Sequence, residues 1–161
     1  MTDTPIIMRE QQHERLVSVL YKLRSDSASR VVFLVDKNGQ QIAVQGDVSN
    51  LDTTSLASLA AGNVAATGGM ANLIGEKEFP TLSHEGERES IHICIIGRTL
   101  LVVLFDERSS LGLVKLRVKQ ASRDLSVVFD DITRESEDNR AGEDPFFSGI
   151  TDEDIDSLFN L

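Results

Sequence analysis

The glycines in GNVAATGG, residues 62 to 69, form the segment of this chain that most resembles a phosphate-binding loop. A phosphate-binding loop follows a strand, precedes a helix and ends in Gly-Lys-Ser or Gly-Lys-Thr, so that backbone N–H groups and a lysine hold the phosphates. This segment has no lysine and lies inside a helix-like stretch. The sequence therefore does not predict a nucleotide site.

His92 and Cys94 lie two residues apart on a predicted strand and share one face, as half of a metal site would. His84 is a candidate third ligand, but no second pair has metal-ligand spacing. Cys94 is also a candidate nucleophile, although a mid-strand thiol rarely has the exposure and oriented base which that role requires. The more ordinary interpretation makes Cys94 a small core residue and places His92 at the sheet surface or in a hydrogen bond. We expect neither a metal nor a cofactor.

Arg98 and Arg108 stand at predicted strand ends, where an arginine could reach into the nucleotide site of another protein. The ordinary interpretation is that both are solvated turn residues. The sequence contains no paired carboxylates and no Ser-His arrangement suited to catalysis. We therefore expect a protein that is not itself an enzyme.

The elements that must position these residues follow from periodicity and turn signals. Apolar residues at helical spacing predict helices over residues 9–24 and about 110–132. After the first helix, the segments VVFLV and QIAVQ flank Asn38-Gly39, and this pattern predicts a β-hairpin. Segment 79–86 is a predicted edge strand because it contains Pro80, and Gly97-Arg98 connects two further strands. Asp52 is the predicted N-cap of a middle helix that ends at Gly75, and Ser109 or Ser110 caps the last helix. The predicted fold is α+β, with order α-β-β-α-β-β-β-α and a five-stranded antiparallel sheet.

Composition excludes several classes of partner. The chain of 161 residues has a net charge of −10, which argues against nucleic acid or an anionic membrane as the main partner. One cysteine fits a reducing compartment, and MTDTPIIMREQQHER shows no secretory signal, so we expect a cytoplasmic protein. The uncharged middle segment is too polar to insert into a membrane.

The C-terminal part differs in composition from the rest. Residues 133–161 hold 2 basic and 9 acidic residues, and we predict a domain over residues 1–132 followed by a flexible acidic linker and a docking motif over 133–161. The apolar residues of the motif are the expected anchors for a partner: Phe146, Phe147, Ile150, Ile155, Leu158 and Phe159.

No charged residue lies between Asp52 and Glu76, which is unusual for a helix in so charged a chain. At 100° per residue, one side of this helix is predicted to pack on the sheet and gathers Leu56, Leu59, Ala60, Met70, Ala71 and Ile74. The opposite side is flat and carries Thr54, Ser58, Ala61, Gly62, Ala65, Gly69 and Asn72. A helix buried on both sides within its own chain would explain the missing charge, but a face on which another protein packs explains the glycines as well.

Three segments carry a resemblance to a known family. VVFLVDKNGQQI, LDTTSLASLAAGNVAATGGMANLIGEKEFP and SLGLVKLRVKQAS resemble the roadblock / dynein light-chain superfamily, and within it the bacterial MglB-like GTPase-activating proteins of the Ras-like switch MglA. The match covers about residues 30 to 132 closely, residues 1–29 match less well, and the acidic tail is similar too.

The resemblance implies a three-layer roadblock-type domain that forms a homodimer, with two uncharged helices side by side as a platform for one Ras-like GTPase. It implies activation by reshaping the GTPase switch regions without an arginine finger, a tail that influences nucleotide exchange, and a role in cell polarity and motility with enrichment at a cell pole. A non-catalytic roadblock scaffold that only binds and localises a GTPase is the alternative. A small-molecule sensor with a pocket beside His92 and Cys94 is a third class, which nothing in the sequence favours.

Overall fold

The computed structural model describes residues 10–142, with side chains to residue 138. The predicted order of elements is confirmed. Along this part of the chain the elements are α1 Glu10–Ser27, β1 Val31–Asp36, β2 Gln41–Gly46, α2 Thr53–Leu73, β3 Thr81–Glu85, β4 Ser90–Ile96, β5 Thr99–Phe105 and α3 Leu111–Gly142.

The five strands form one antiparallel sheet in the order β2-β1-β5-β4-β3. Every residue of β5, the central strand, is buried, which suits its almost wholly apolar sequence TLLVVLF. β3 lies at the edge, as the sequence predicted, and four of its five residues are exposed. One end of the sheet therefore presents unpaired backbone groups.

The β1–β2 hairpin forms, but its connection differs from the two-residue turn that Asn-Gly favours. Four residues, Lys37 to Gln40, separate the strands, and only Gly39 among them has a positive φ, of 91°. The Asp36 carboxylate accepts hydrogen bonds from the backbone N–H groups of Asn38 and Gln40, both at 2.9 Å, and so closes the longer loop. The Gly97-Arg98 connection between β4 and β5 is confirmed.

One side of the sheet carries α1 and α3, which lie antiparallel to each other. Ser109 at the start of α3 donates a hydrogen bond to the Ser27 carbonyl at the end of α1, and Arg15 pairs with Asp131 at 2.9 Å near the opposite end. A cluster of large aliphatic side chains fills the space between these helices and the sheet, including Leu16, Leu20, Leu34, Leu101 and Leu125. α2 lies alone on the other side, giving three layers.

α3 is longer than the sequence predicted. The flexible linker expected from residue 133 is wrong for residues 133–142, because α3 continues through them to Gly142. The Asp131 carboxylate forms ion pairs with Arg15 of α1 and, at 3.4 Å, with Arg134 one turn further along α3. Gln12 of α1 donates a hydrogen bond to the Glu135 carboxylate. These contacts stabilise a charged segment whose lack of apolar periodicity had indicated disorder.

Within residues 10–142, no helix is both long and apolar enough to cross a membrane.

Candidate functional site

The ends of α2 are set by the residues that the sequence identified. The Asp52 side chain accepts a hydrogen bond from the Ser55 backbone N–H at 3.0 Å and another from its hydroxyl at 2.7 Å. The side-chain and backbone hydrogen bonds from Ser55 lower the pKa of Asp52. At the other end Gly75 adopts a φ of 84°, and the N–H of Glu76 bonds back to the Ala71 carbonyl at 2.9 Å.

The buried residues of α2, on the side that faces the sheet, are all alanines. They are Ala57, Ala60, Ala61 and Ala71, which pack on Phe33, Leu100 and Val102 among others. These small side chains bring the helix backbone close to the sheet. A Cβ added to Gly39 would lie 3.1 Å from the Ser58 Cα, so the β1–β2 loop also touches the helix backbone.

This packing corrects two sequence predictions. Ala61, expected on the outward face, is buried with 8% of its surface exposed and lies under the helix near Gly39. Leu59, Met70 and Ile74, expected against the sheet, are 70%, 61% and 70% exposed. The physical reason is that a close approach requires alanine, and the larger apolar residues are left outside. Leu56, Ala60 and Ala71 face the sheet as predicted.

The remaining residues expected on the outward face form one exposed side of α2, which we call the small-residue flank. All of its members are exposed: Thr54, Ser58, Gly62, Ala65, Gly69 and Asn72. A Cβ added to Gly62, Gly68 or Gly69 would meet nothing within 4 Å in the described part of the chain. Each glycine inside a helix costs about 1 kcal/mol relative to alanine, so internal packing does not account for these three. The small-residue flank is therefore a candidate surface for contact with another molecule.

The exposed large residues define a second side, the apolar flank of Leu59, Met70 and Ile74. These three lie within about 40° of Asn63 around the helix axis at 100° per residue. The Asn63 side chain lies 3.2 Å from His84 Nε2 on β3, which orients the apolar flank towards the β3 edge of the sheet. Ser58 and Ala61 approach Gly39 on the opposite side, so the small-residue flank faces the β1–β2 end.

The sheet beneath the apolar flank is incompletely covered. α2 contacts β1 and β2 most extensively, while Leu82, Ile91 and Ile95 of β3 and β4 are only partly buried on the same side. The exposed apolar side chains, the half-covered strands and the open edge of β3 thus form one continuous region. Exposed apolar regions of this kind are typical of interaction sites, so this region is a second candidate surface.

His92 and Cys94 lie together on the opposite side of the sheet, beneath α3. His92 is buried, and its Nδ1 lies 2.7 Å from the Ser83 hydroxyl. Burial, and secondarily the charge of Lys115, lowers the pKa of His92. Burial raises the pKa of the Cys94 thiol, against a weaker opposing effect of Ser122. A half-buried thiol held in its protonated form is a poor nucleophile.

The candidate third metal ligand, His84, lies on the other side of the sheet from His92 and Cys94, where it meets Asn63 of α2. Among the described residues, no three metal-ligating side chains come together. Arg98 and Arg108 stand at opposite ends of β5, and Arg108 lies 3.4 Å from Asp106. Neither arginine belongs to α2. The six apolar tail residues from Phe146 to Phe159 lie outside the described residues.

Sequence reasoning missed the exposure of Leu73, which at 88% is the most exposed large apolar residue of the described part. The signal was available in the spacing. Ala57, Ala60, Ala61, Val64 and Ala71 form a continuous helical stripe of small residues, and small residues allow the closest approach to a sheet.

Comparison with known proteins gives consistent matches. A Roadblock/LC7 domain model matches residues 18–105. The structure of Myxococcus xanthus MglB is 53% identical, with a TM-score of 0.74, over 78% of this chain and 96% of that one. The gliding protein MglB of Thermus thermophilus is 33% identical, with a TM-score of 0.75, over 81% of this chain and 99% of that one. A structure described as MglB with tetrameric arrangement is 31% identical, with a TM-score of 0.76, over 81% of this chain and 99% of that one. No curated protein matched the sequence.

Proposed function

Because the chain belongs to the Roadblock/LC7 domain family and is an MglB-like member of it, we propose that it regulates a Ras-like small GTPase of the MglA type as a homodimeric activator. The single observation that carries this proposal is the uncharged, exposed outward side of α2 in a chain that is 53% identical to Myxococcus xanthus MglB. The chain itself supplies no catalytic residue in this proposal. Its place is the cytoplasm, with enrichment at a cell pole.

The apolar flank supports the homodimer. A second copy of α2 laid beside the first would cover Leu59, Met70 and Ile74 and the partly buried strands β3 and β4. Pairing of the two β3 edges would satisfy their free backbone groups and join the sheets. A relative described as having a tetrameric arrangement is consistent with an assembling protein.

The small-residue flank supports the GTPase contact. In the dimer it stays accessible, because it lies on the side of α2 away from Asn63 and the β3 edge. Its glycines and alanines allow the partner's switch segments to approach the helix backbone closely. Two such helices form a platform that holds one GTPase per dimer.

Activation on this platform is a shift in the conformation of the partner. A surface that binds the hydrolysis-competent arrangement of the switch regions more tightly than the others increases its population. The GTPase then aligns its own water-positioning residue and needs no arginine from the activator. Arg98→Ala and Arg108→Ala variants are therefore expected to activate as well as the unchanged protein.

Phosphate release from a purified MglA-type GTPase tests the proposal. The unchanged protein should accelerate release, and an Ala65→Arg, Gly69→Arg variant should not, because two bulky charges obstruct the close approach. Ser126→Arg, at an exposed position of α3, is the matched control and should retain activity. Wild-type stimulation by the Ala65→Arg, Gly69→Arg variant would disprove the platform. Binding without any stimulation by the unchanged protein would favour the scaffold alternative.

For the tail we propose a second contact with the GTPase, with the apolar residues from Phe146 to Phe159 as anchors and an effect on nucleotide exchange. Because α3 continues to Gly142, the informative truncation removes residues 143–161 and leaves the helix intact. This variant should fold and dimerise normally but change the rate at which the GTPase releases a fluorescent nucleotide. Equal exchange rates with the full-length and truncated proteins would contradict a role of the tail in exchange.

A further inference from the structure

The outward side of α3 is basic in its first part, in a protein that is acidic as a whole. From Leu111 to Arg123, the first part of α3, the sequence has four basic residues and no acidic one, and two of the four, Lys119 and Arg123, lie on the outward side. The first turn of α3 contains no acidic residue either, although acidic side chains are favoured near a helix N-terminus. This concentration of positive charge has no evident role in stabilising the helix.

Four residues of α3 bring this charge together with apolar surface, and we call them the α3 stripe: Leu116, Lys119, Arg123 and Val127. Spacings of three, four and four residues place them on one side of the helix. Lys119 and Arg123 are exposed, and Leu116 and Val127 are 53% and 56% exposed. Two apolar side chains thus bracket two cations on a surface that faces away from the sheet.

The two cations have no ionic partner in the described part of the chain. The ion pairs there involve Arg15, Arg30, Lys37, Arg108 and Arg134. Packing against α1 uses a different side of α3, where Asp131 receives Arg15. The α3 stripe is therefore available to an occupant that is both acidic and apolar.

The segment that follows α3 in the same chain has this chemistry. Residues 143–161 contain 6 acidic and 0 basic residues, interspersed with the apolar residues from Phe146 to Leu161. The distance is also suitable. Leu116 lies 26 residues before Gly142, or about 39 Å along the helix, and 19 residues of extended chain span about 63 Å.

We propose that residues 143–161 fold back and dock on the α3 stripe of their own dimer when no partner is bound. Acidic residues of the segment pair with Lys119 and Arg123, and its apolar residues cover Leu116 and Val127. Each ion pair in water contributes little alone, but several pairs combined with apolar burial and a covalent connection give a docked state.

Docking would also regulate the proposed function, on which this step rests. A segment held by α3 is withheld from the GTPase, so the two sites compete for the same apolar anchors. The docking itself does not depend on the GTPase and can be measured in its absence. The failure of one idea can therefore be distinguished from the failure of the other.

The test uses NMR of the full-length, isotope-labelled protein alone and follows the amide signals of residues 143–161. In the unchanged protein these signals should move when NaCl is raised to about 1 M, where the Debye length falls to about 3 Å. In a Lys119→Glu, Arg123→Glu variant they should already hold their high-salt positions at low salt. Leu116→Ser should shift them part of the way.

The matched control is Lys77→Glu with Arg88→Glu, which makes the same change of charge at two exposed residues outside α3. Its tail signals should match those of the unchanged protein. Identical tail signals in the unchanged protein and the Lys119→Glu, Arg123→Glu variant would overturn the proposal, as would an equal effect of the control. A loss of the salt-sensitive shifts on dilution of the intact dimer would also overturn it, because docking within the dimer does not depend on concentration.

Discussion

The two sides of the central sheet are built from different side chains. On the α1 and α3 side, large aliphatic residues such as Leu16, Leu34 and Leu125 are fully buried between helices and sheet. On the α2 side the helix contributes alanines, and its larger residues Leu59 and Leu73 point outwards. The large apolar side chains of the α1 and α3 side are covered within the domain. On the α2 side, apolar side chains remain exposed in the described part of the chain.

This difference indicates a division of roles between the two layers. Buried apolar area stabilises the fold, and most of it involves the α1 and α3 side together with the central strands. The larger apolar side chains of α2 instead lie on the surface, where they are accessible to another protein. The helix that does least for its own domain's core has the strongest signs of an interaction surface.

The largest expected effect is a difference in stability between two leucine substitutions, one on each side of the sheet. Leu125→Ala removes a side chain that is 0% exposed and should destabilise the protein by about 2–5 kcal/mol. Leu73→Ala, at a residue 88% exposed, should change the free energy of unfolding of the monomer by less than about 0.5 kcal/mol. Urea denaturation of both variants measures the contrast. Similar losses would mean that α2 contributes to the core as much as α3 does.

The next effect concerns assembly rather than stability. Leu59→Glu with Met70→Glu places two charges in the apolar flank and should convert the proposed dimer to a folded monomer, because the charges cannot be buried unpaired. Light scattering gives the mass, and circular dichroism confirms the fold. Tyr21→Glu, at a residue 63% exposed on α1, is the matched control and should remain dimeric. A dimeric Leu59→Glu, Met70→Glu protein would place the interface elsewhere.

The smallest effect is a pH dependence from His92 on the closed side. Its pKa is lowered in the folded protein, so protonation favours the unfolded chain. Stability from this residue should be complete above the ordinary histidine pKa of about 6.5 and should decrease as the pH falls below it. The melting temperature of a His92→Gln variant should therefore fall less between pH 7 and pH 5 than that of the unchanged protein. Parallel curves would show that another group carries the acid sensitivity.

Most of the architecture could be predicted from the sequence because its signals are local. Caps such as Asp52, turn glycines such as Gly97, and apolar periodicity in α3 each depend on a few neighbouring residues. The five strands could be predicted from local signals in the same way. The loop that contains Asn38-Gly39 is longer than the two-residue turn this dipeptide favours, because the Asp36 carboxylate caps the longer loop.

The rotation of α2 could not be predicted from hydrophobicity alone. A rule that buries the largest residues places Leu59 and Met70 inside and Ala61 outside, and the structure has the reverse. The predicted end of α3 was wrong for a related reason. Its last turns are stabilised by the Arg15–Asp131 and Gln12–Glu135 contacts with α1, which lies more than a hundred residues earlier in the sequence. Both errors arise where contacts distant in sequence override local preference.

The extended α3 also determines where the C-terminal segment starts. Seven residues of helix, or about 10 Å, separate Gly142 from Glu135, whose contact with Gln12 fixes that end of α3 to α1. If the segment docks as proposed, it acts as a tethered ligand with a fixed anchor point, and its effective concentration at a nearby surface is set by the tether length. Inserting or deleting a few residues after Gly142 would change that concentration without altering a single contact.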